Sequence, residues 1–427
     1  MKIRNLVFCG CALTLLTARS ASGQAAGGRG DRPAVNFNPN ISVVVDGAYY
    51  RHSGDEGLDH VLEELRGFGH VHQDDGHHHD HDHGFENGFN LREIELMLEA
   101  DVDPYFKSWV IVGVDTDGAE LEEAVVLTTA LPYGLQVKLG KFFSDFSRLN
   151  AQHAHEWNFT DQTLIYQALL GDHGLNEIGG QLSWLTPAPF FLAAGLEVLQ
   201  GDNELAFEHH GDGPLPERDG PRLFLSWLKA SPNLTGPHAF QAGLFAGRGV
   251  RQEEHLGTGG HDDPGSHYLD GHQWIYGADF VYKYTPARAY GQGYLTVEGG
   301  YMGRRADLEL VAHNNPERRH LVGNNLVKEQ DGLYLQTAYG FAPRWRFGLR
   351  GETLGLTNRE KKPSGLEEKF DPSWRVSAMV DWTLTEFSRL RLQGNHGRYD
   401  TDEGKENLSE VFLQAVFSLG SHPAHRF

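Results

Sequence analysis

The sequence predicts an all-β fold, a transmembrane antiparallel β-barrel of about 16 strands with short periplasmic turns and long extracellular loops. Three observations predict it. The chain begins with a secretory signal, it continues as stretches of alternating apolar and polar residues, and the connections between these stretches alternate between short and long. No later stretch approaches the roughly 18 consecutive apolar residues that a membrane helix needs.

The N-terminus has the parts of a signal peptide. Lys2 and Arg4 precede an apolar run from Leu6 to Leu16, and small residues follow at 21–23, which predicts cleavage near Gln24. The mature chain is therefore expected in the bacterial outer membrane. The expected domains are a signal peptide at 1–23, a short periplasmic segment at 24–38 and the barrel at 39–427.

Cysteine usage and charge exclude several functions. Both cysteines, Cys9 and Cys11, lie inside the signal, so the mature chain has no disulfide and no thiolate metal site. A lipid anchor on Cys11 is an alternative that the residues around it disfavour. Losing Lys2, Arg4 and Arg19 reduces the basic residues from 37 to 34 against 58 acidic residues, a net charge of −24. This balance disfavours nucleic acid as a partner.

The alternation is clearest in two stretches near the ends of the expected barrel. One face of the stretch 92–102 carries Ile94, Leu96, Leu98, Ala100 and Val102, and the other carries Glu93, Glu95, Met97, Glu99 and Asp101. In the stretch 408–419, one face carries Val411, Leu413, Ala415, Phe417 and Leu419. The apolar faces suit contact with lipid, and the opposite faces suit a polar lumen.

The connections follow the order that a barrel requires. Pro, Gly and polar residues indicate short turns at 103–104, 131–134, 186–189, 231–236, 286–291, 342–343 and 384–385. Longer polar segments lie at about 51–88, 143–176, 200–220, 249–271, 305–331 and 356–371, with two short ones near 117–118 and 400–404. Seven turns and eight loops indicate about 16 strands, with both termini in the periplasm.

A soluble β-sandwich or propeller is the alternative for the same alternation. The signal peptide, the strand lengths and the aromatic residues near strand ends favour the barrel, because membrane barrels carry aromatic girdles at both interfaces. The residues that we assign to these girdles are Tyr49, Trp109, Trp184, Trp227, Trp274, Tyr282, Tyr284, Trp345 and Trp382.

Strand alternation also predicts which charges line the lumen. The acidic positions, on the second and fourth strands, are Glu93, Glu95, Glu99, Asp101, Glu120 and Glu122. The basic positions, on the thirteenth to fifteenth strands, are Arg346, Arg350, Arg375, Arg389 and Arg391. These two clusters should face each other across the pore, where charged rings select solutes. The alternative is that they pair with neighbours and only solvate the wall.

The third long connection, at 143–176, is expected to fold inward as a constriction. It contains His153 and His155, whose spacing puts both imidazoles on one side of an extended segment. Glu156 is adjacent and offers an oxygen ligand. Contact with a metal is one interpretation of these three residues, and ordinary hydrogen-bonded loop packing is the other.

The first long connection, at 51–88, contains the densest histidine run in the chain. Its candidate metal ligands are His70, His72, His77, His78, His79, Asp80, His81, Asp82 and His83. Imidazole and carboxylate together suit borderline divalent metals such as zinc. About 20 of the 24 histidines fall in predicted extracellular loops, and such flexible arrays should bind metal weakly and exchangeably. The alternative is that these loops are solvated hydrophilic surface.

Several segments resemble known bacterial outer-membrane channels. Residues 135–150, LQVKLGKFFSDFSRLN, are similar to a strand and loop start with a Gly-Lys-Phe core in the phosphate-selective porin O and P family. Residues 37–50, 88–106, 149–164 and 418–427 resemble a group labelled zinc-regulated outer-membrane receptors. The resemblance implies a porin-like barrel. The acidic charge disfavours phosphate selection, and the length leaves no room for the plug of a TonB-dependent receptor.

These observations together predict a passive outer-membrane channel and not an enzyme. The Gly-rich phosphate loop, the Gly-X-Ser-X-Gly elbow and the His-Glu-X-X-His motif are absent from the sequence. The expected solutes are divalent cations such as zinc, with no tightly bound cofactor. Outer-membrane lipid and lipopolysaccharide are the expected surroundings, and a homotrimer is a candidate assembly. The open alternatives are a general or anion porin with incidental histidines and a barrel that sheathes a partner such as an electron-transfer cytochrome.

Overall fold

The computed structural model describes residues 39–54, 56–68, 84–116, 118–207, 214–255 and 266–420. Within them the chain forms one sheet of 18 strands. In chain order these are β1 (Asn40–His52), β2 (Gly88–Asp103), β3 (Phe106–Val114), β4 (Ala119–Thr128), β5 (Leu135–Phe143), β6 (Asn176–Leu185), β7 (Phe191–Leu199), β8 (Leu223–Ser231), β9 (His238–His255), β10 (His267–Tyr284), β11 (Leu295–His313), β12 (Asn325–Ala342), β13 (Trp345–Leu354), β14 (Arg359–Lys361), β15 (Glu367–Lys369), β16 (Ser373–Thr385), β17 (Ser388–Thr401) and β18 (Gly404–Gly420).

The sheet closes on itself because its first and last strands pair. β1 pairs antiparallel with β18, from Ser42↔Gly420 to His52↔Glu410, and with β2 on its other side. β14 and β15 form a small hairpin that pairs with one end of β12. Of the strands in the described ranges, the other 16 form the closed antiparallel ring. The predicted fold class is therefore confirmed.

Short and long connections alternate along the chain, so one rim of the barrel carries the short turns and the other carries the long connections. The short turns lie where Pro, Gly and polar residues predicted them, for example at 104–105, 343–344 and 386–387. The long connections all lie at the opposite rim, which we call the long-loop rim. The predicted signal peptide and the periplasmic segment at 24–38 lie outside the described residues.

The predicted loops at 249–271 and 305–331 are wrong in extent, because much of each is strand. β9, β10, β11 and β12 run for 18, 18, 19 and 18 residues and form tall hairpins at the long-loop rim. The polar residues there pair across strands instead of looping out. Arg305 Nη1, for example, lies 2.6 Å from Glu329 Oε1 on the next strand.

Helical segments are short and belong to the connections. They are α1 (Leu58–Glu63), α2 (Leu164–Leu170) and α3 (Glu204–Phe207), with 3-10 turns at Pro132–Gly134, Ala154–Glu156, Ala289–Gly291 and Arg319–Leu321. In the part of the chain that the structure describes, no helix is long and apolar enough to cross a membrane.

Burial is reversed relative to a water-soluble protein. Large apolar side chains on the outer face of the strands are exposed, with Leu196 59% and Leu413 54% accessible. Their strand neighbours Glu197 and Gln414 are buried in the interior. An outer apolar band around a polar wall is the arrangement that lipid stabilises.

Two of the predicted girdle residues point into the barrel instead. Trp227 is buried, and its indole Nε1 donates to Glu197 Oε1 at 2.9 Å. Trp109 Nε1 donates to Glu123 Oε2 at 2.6 Å. β8 is apolar on both faces, so its alternation could not indicate which side Trp227 takes.

The hydrophobic core lies inside the barrel and is built by the loops. The third connection, residues 144–175, which we call loop 3, is buried along almost its whole length. Phe146, Trp157 and Leu164 of loop 3 belong to one cluster that also contains residues of α1 and α3. α3 is held by its backbone, because Arg251 Nη1 on the wall donates to the Ala206 carbonyl at 2.6 Å. These connections therefore fill much of the barrel interior.

Candidate functional site

Loop 3 crosses the barrel interior and contacts opposite walls. Arg148 at its start donates from its backbone N to Asp279 on β10 and from its side chain to Glu298 on β11. Further along, the backbone N of Leu164 donates to Glu352 Oε1 on β13 at 2.8 Å. These contacts fix loop 3 to β10, β11 and β13, and its histidines reach β2, which lies eight strands from β10 around the ring.

The histidines of loop 3 lie on the acidic side. His153 Nδ1 is 3.2 Å from Glu95 Oε2 on β2 and 3.2 Å from Glu122 Oε2 on β4. His155 Nδ1 is also 3.2 Å from Glu95 Oε2. Donor atoms of Glu95, Glu122 and His153 all lie within 4.8 Å of one another. One imidazole and two carboxylates therefore converge on one point of the wall, and His155 joins them through Glu95.

A third carboxylate stands behind this cluster. Glu123 Oε2 accepts the indole hydrogen of Trp109 and lies 3.9 Å from His153 Nε2. Burial lowers the pKa of the His153 imidazole, but the surrounding carboxylates raise it more, so that it ends well above its ordinary value. The cluster therefore attracts positive charge strongly, from a proton or from a cation.

Strand alternation missed Glu123 because of a β-bulge. The pairing between β3 and β4 shifts from Ile111↔Glu123 to Val112↔Leu121, so the bulge turns two consecutive residues, Glu122 and Glu123, inward. Strict alternation sends one of two consecutive residues outward. The available signal was the pair of adjacent glutamates, because strict alternation would turn one of them towards lipid, which does not tolerate a carboxylate.

The other side of loop 3 meets the predicted arginines. Asp161 Oδ1 lies 2.7 Å from Arg350 Nη2, and its Oδ2 lies 2.8 Å from Arg375 Nη1. Arg391 Nη2 and Arg389 Nη2 donate to the carbonyl oxygens of loop 3 residues at 3.0 and 2.7 Å. In the ring of strands only β1 and β18 separate β2 from β17, so the acidic and basic clusters lie on neighbouring parts of the wall and do not face each other across the pore as predicted. Loop 3 is bonded to both clusters.

The remaining predicted wall residues pair with close neighbours. Glu99 pairs with Lys107, and Glu120 Oε1 lies 2.9 Å from Lys141 Nζ. Arg346 Nε donates to Asp381 Oδ1 at 3.0 Å. Glu93 lies beside Glu122 on the acidic wall, and Asp101 is exposed towards the short-turn rim.

Glu156 and the histidine run are placed differently from His153. Glu156 is not among the donor atoms that converge on Glu95 and Glu122 within the described part of the chain. It interacts electrostatically with Lys283 on β10 instead. The predicted ligands of the first loop lie outside the described residues; these are His70, His72, His77, His78, His79, Asp80, His81, Asp82 and His83.

A cavity of about 600 Å³ leads to the cluster from the long-loop rim. Its outer lining comes from connections at that rim, namely 84–86, 115–116 and 172–174. Its inner lining includes Glu122 and His153. The cavity therefore joins the rim to the point where loop 3 meets the acidic wall.

Comparison with known proteins identifies a relative and a fold. No family model matches the chain. An uncharacterized protein of Aquifex aeolicus (strain VF5) is 36% identical over 402 residues, which cover 92% of this chain and 80% of that protein. The chain belongs to the family of this Aquifex protein.

Solved structures of outer-membrane proteins share the fold. The outer-membrane channel DcaP of Acinetobacter baumannii matches with a TM-score of 0.53 at 13% identity, covering 90% of this chain and 96% of that chain. The anion-selective porin of Comamonas acidovorans matches with a TM-score of 0.50 at 10% identity, covering 89% and 99%. OmpT of Vibrio cholerae, in its trimer form, matches with a TM-score of 0.50 at 11% identity, covering 89% and 99%. At these identities the likeness shows a porin-like barrel, and the narrower resemblances stay predictions.

Proposed function

We propose that the protein is a passive outer-membrane channel for divalent cations, with zinc as the first candidate, and that the long-loop rim faces the cell exterior. The observation that carries the proposal is the charge of the cavity at that rim. Among the described residues that line it are nine carboxylates and a single arginine, Arg92. A cleft with low-dielectric walls and charge of one sign concentrates ions of the opposite sign.

The histidine run is joined directly to this cavity. Gly84, Phe85 and Glu86, which follow the last histidine of the run, belong to the cavity lining. We propose that the run collects cations and releases them into the cavity, because weak and exchangeable ligands hand over what they bind. The strand register also sets His255, His267 and His313 side by side across β9, β10 and β11 at this rim.

The two alternative functions are less well supported. An anion porin needs a basic filter, but the arginines of the wall are bonded to Asp161 and to loop 3 carbonyls. A sheath for a partner protein needs a free interior, but loop 3 and the core cluster occupy it. The homotrimer and the lipid surroundings stay part of the proposal, in keeping with the trimeric OmpT structure.

Ion selectivity in planar bilayers tests the proposal. Under a salt gradient, the reversal potential should have the sign of a cation-selective pore, and zinc at low concentration should block monovalent current because it occupies the cavity. Replacing Glu120 and Asp115 at the cavity mouth with their amides should reduce the cation preference. Anion preference that zinc leaves unchanged would refute the proposal.

Zinc entry into liposomes tests the role of the histidine run. We compare the intact protein with a variant in which residues 70–83 are replaced by a Gly/Ser segment of equal length. At zinc concentrations well below saturation, the variant should transport several-fold more slowly, and at saturation the two rates should converge. Equal rates at every concentration would show that the run does not collect the transported ion.

A further inference from the structure

We infer that Glu95, Glu122 and His153 form a buried site for one divalent cation of the zinc class, with His155 beside Glu95 as a further ligand, and that the ion ties loop 3 to the barrel wall. The site is separate from the histidine run and lies at the inner end of the cavity. It does not depend on whether the channel conducts cations.

The distances match the edges of a metal-centred tetrahedron. Zinc binds imidazole nitrogen and carboxylate oxygen at about 2.0–2.2 Å, so two ligands of a tetrahedral site lie roughly 3.3–3.5 Å apart. Within the converging group, His153 Nδ1 lies 3.2 Å from Glu95 and 3.2 Å from Glu122. His155 Nδ1 approaches Glu95 at the same distance from outside that group. A small outward movement of these atoms would admit the ion.

Hydrogen bonds from the histidines satisfy the carboxylates of the cluster only in part. His153 Nδ1 carries at most one hydrogen, yet two carboxylate oxygens approach it at the same distance. Glu95 and Glu122 are only 4% and 8% exposed, and the Oε2 atom of each lacks a hydrogen bond of good geometry. Buried carboxylate oxygens without a hydrogen bond are costly, and a shared cation would satisfy both.

The ligand types favour the zinc class over magnesium and calcium. Imidazole nitrogen suits zinc, cobalt, nickel and copper, whereas magnesium and calcium prefer sites made of oxygen alone. Metal-bound histidines commonly donate their other ring N–H to a carboxylate. Glu123 Oε2 stands on the Nε2 side of His153 at 3.9 Å, where it can take this role, and Trp109 holds it there.

The burial of the site indicates that its ion is retained in the protein and not conducted through the barrel. A conducted ion must leave easily, so conducting sites bind weakly. This site draws its ligands from three segments of the chain, and its members are almost completely buried. The ion would therefore exchange slowly and stabilise the position of loop 3 inside the barrel.

Metal titration of the folded protein tests this inference. The protein with residues 70–83 replaced by Gly/Ser is stripped with a chelator and titrated with Zn²⁺ against a chromophoric competitor. We expect one tight site per chain. In the same background, His153→Gln and Glu122→Gln should weaken it at least 100-fold. His173→Gln, a histidine of loop 3 outside the donor group, is the matched control and should leave the affinity unchanged.

A second measurement does not depend on how the variants fold. Co²⁺ bound to the run-replaced protein with an intact cluster should show the visible absorption of a four-coordinate nitrogen and oxygen site, and Zn²⁺ should displace it. Any one of three results would overturn the inference. The first is that the protein whose run has been replaced has no tight site. The others are an unchanged affinity in folded His153→Gln protein and a cobalt spectrum of the hydrated ion. Anion-selective current together with tight binding would refute only the proposed function.

Discussion

Replacing Asp161 with asparagine tests whether one buried carboxylate anchors loop 3 to the basic wall. Asp161 contacts Arg350 at 2.7 Å and Arg375 at 2.8 Å, and all three side chains are buried. Asparagine keeps the shape of the side chain but removes its charge, and its amide can place N–H donors against the guanidinium donors. Both arginines then lose a partner that water cannot replace.

The magnitude follows from what remains after the change. Breaking a buried ion pair costs roughly 3–5 kcal/mol because it leaves an uncompensated charge. Glu352 Oε2 stays 3.0 Å from Arg350 Nε and 2.8 Å from Arg375 Nε, so each arginine keeps one carboxylate. We therefore expect the lower end, about 3 kcal/mol. At about 1.4 kcal/mol for each factor of ten, this raises the equilibrium constant for loop opening about 100-fold.

Hydrogen exchange of the folded protein in detergent measures this opening directly. Amides within 144–175 should exchange about 100-fold faster in the Asp161→Asn protein, in line with the estimate above. Asp172→Asn is the matched control, because Asp172 lies in the same loop and accepts a hydrogen bond from the uncharged side chain of Gln167. Equal exchange of loop 3 in both variants and in the unmodified protein would refute the anchoring argument.

The same contact has a defined dependence on pH. Burial raises the pKa of Asp161, but Arg350 and Arg375 lower it more, so its net pKa is below the ordinary value. A carboxyl group with a lowered folded-state pKa contributes its full stability above its unfolded pKa of about 4 and loses it as the pH falls through the folded value. The contribution of Asp161 to loop 3 protection, taken as the difference from Asp161→Asn, should therefore be constant from neutral pH down to about 4. A decline of that difference between pH 7 and pH 5 would contradict this assignment.

Three further substitutions probe the wall, the loops and the lipid face. Gly195→Ala should destabilise the barrel by about 1–3 kcal/mol, because its Cβ would overlap the Trp227 ring. Gly394→Ala should leave the melting temperature unchanged, because its Cβ would make only an ordinary contact at 3.9 Å with the Glu410 carbonyl oxygen. Glu177→Gln should speed hydrogen exchange at 200–207, since the Glu177 carboxylate accepts the backbone N–H groups of 201–203 at 2.8–3.0 Å; unchanged exchange there would exclude this anchoring. Leu413→Arg on the lipid face should cost roughly 2–4 kcal/mol in bilayer unfolding, but Leu356→Arg, in a loop and equally exposed, should cost little, and equal losses would argue against a lipid-facing Leu413.

Strand alternation was sufficient to predict the barrel. Residues such as Leu413 and Gln414 take opposite faces in a strand of period two, and lipid outside with polar groups inside satisfies both. Alternation failed to predict side-chain direction where a bulge breaks the period of two, and where both faces of a strand are apolar. The bulge in β4 brought Glu123 inward, and β8, apolar on both faces, concealed the inward direction of Trp227. Polar stretches of β9 to β12 were predicted as loops because cross-strand pairs are not visible along one strand.

The candidate site was only partly predictable. His153 and His155 stood out as a pair, and Glu95 and Glu122 as inward positions on two strands, but their meeting depends on where loop 3 lies. Glu156, the ligand suggested by adjacency, lies outside the converging group, because Ala154–Glu156 forms a 3-10 turn and not the extended segment that the spacing implied. Ligands from distant segments become one site only through the tertiary fold.

The sequence by itself determined the class of the fold, the number of strands, the alternation of turns and loops and the excess of acidic residues. These properties are local, because each depends on the side-chain types within about ten residues, the length of a strand that crosses a bilayer. Only the tertiary structure decided that loop 3 fills the interior, with His153 on the acidic wall and Asp161 on the basic wall. The path of a long loop depends on the total apolar burial and charge pairing that it gains against many strands at once. A short stretch of sequence does not contain this information.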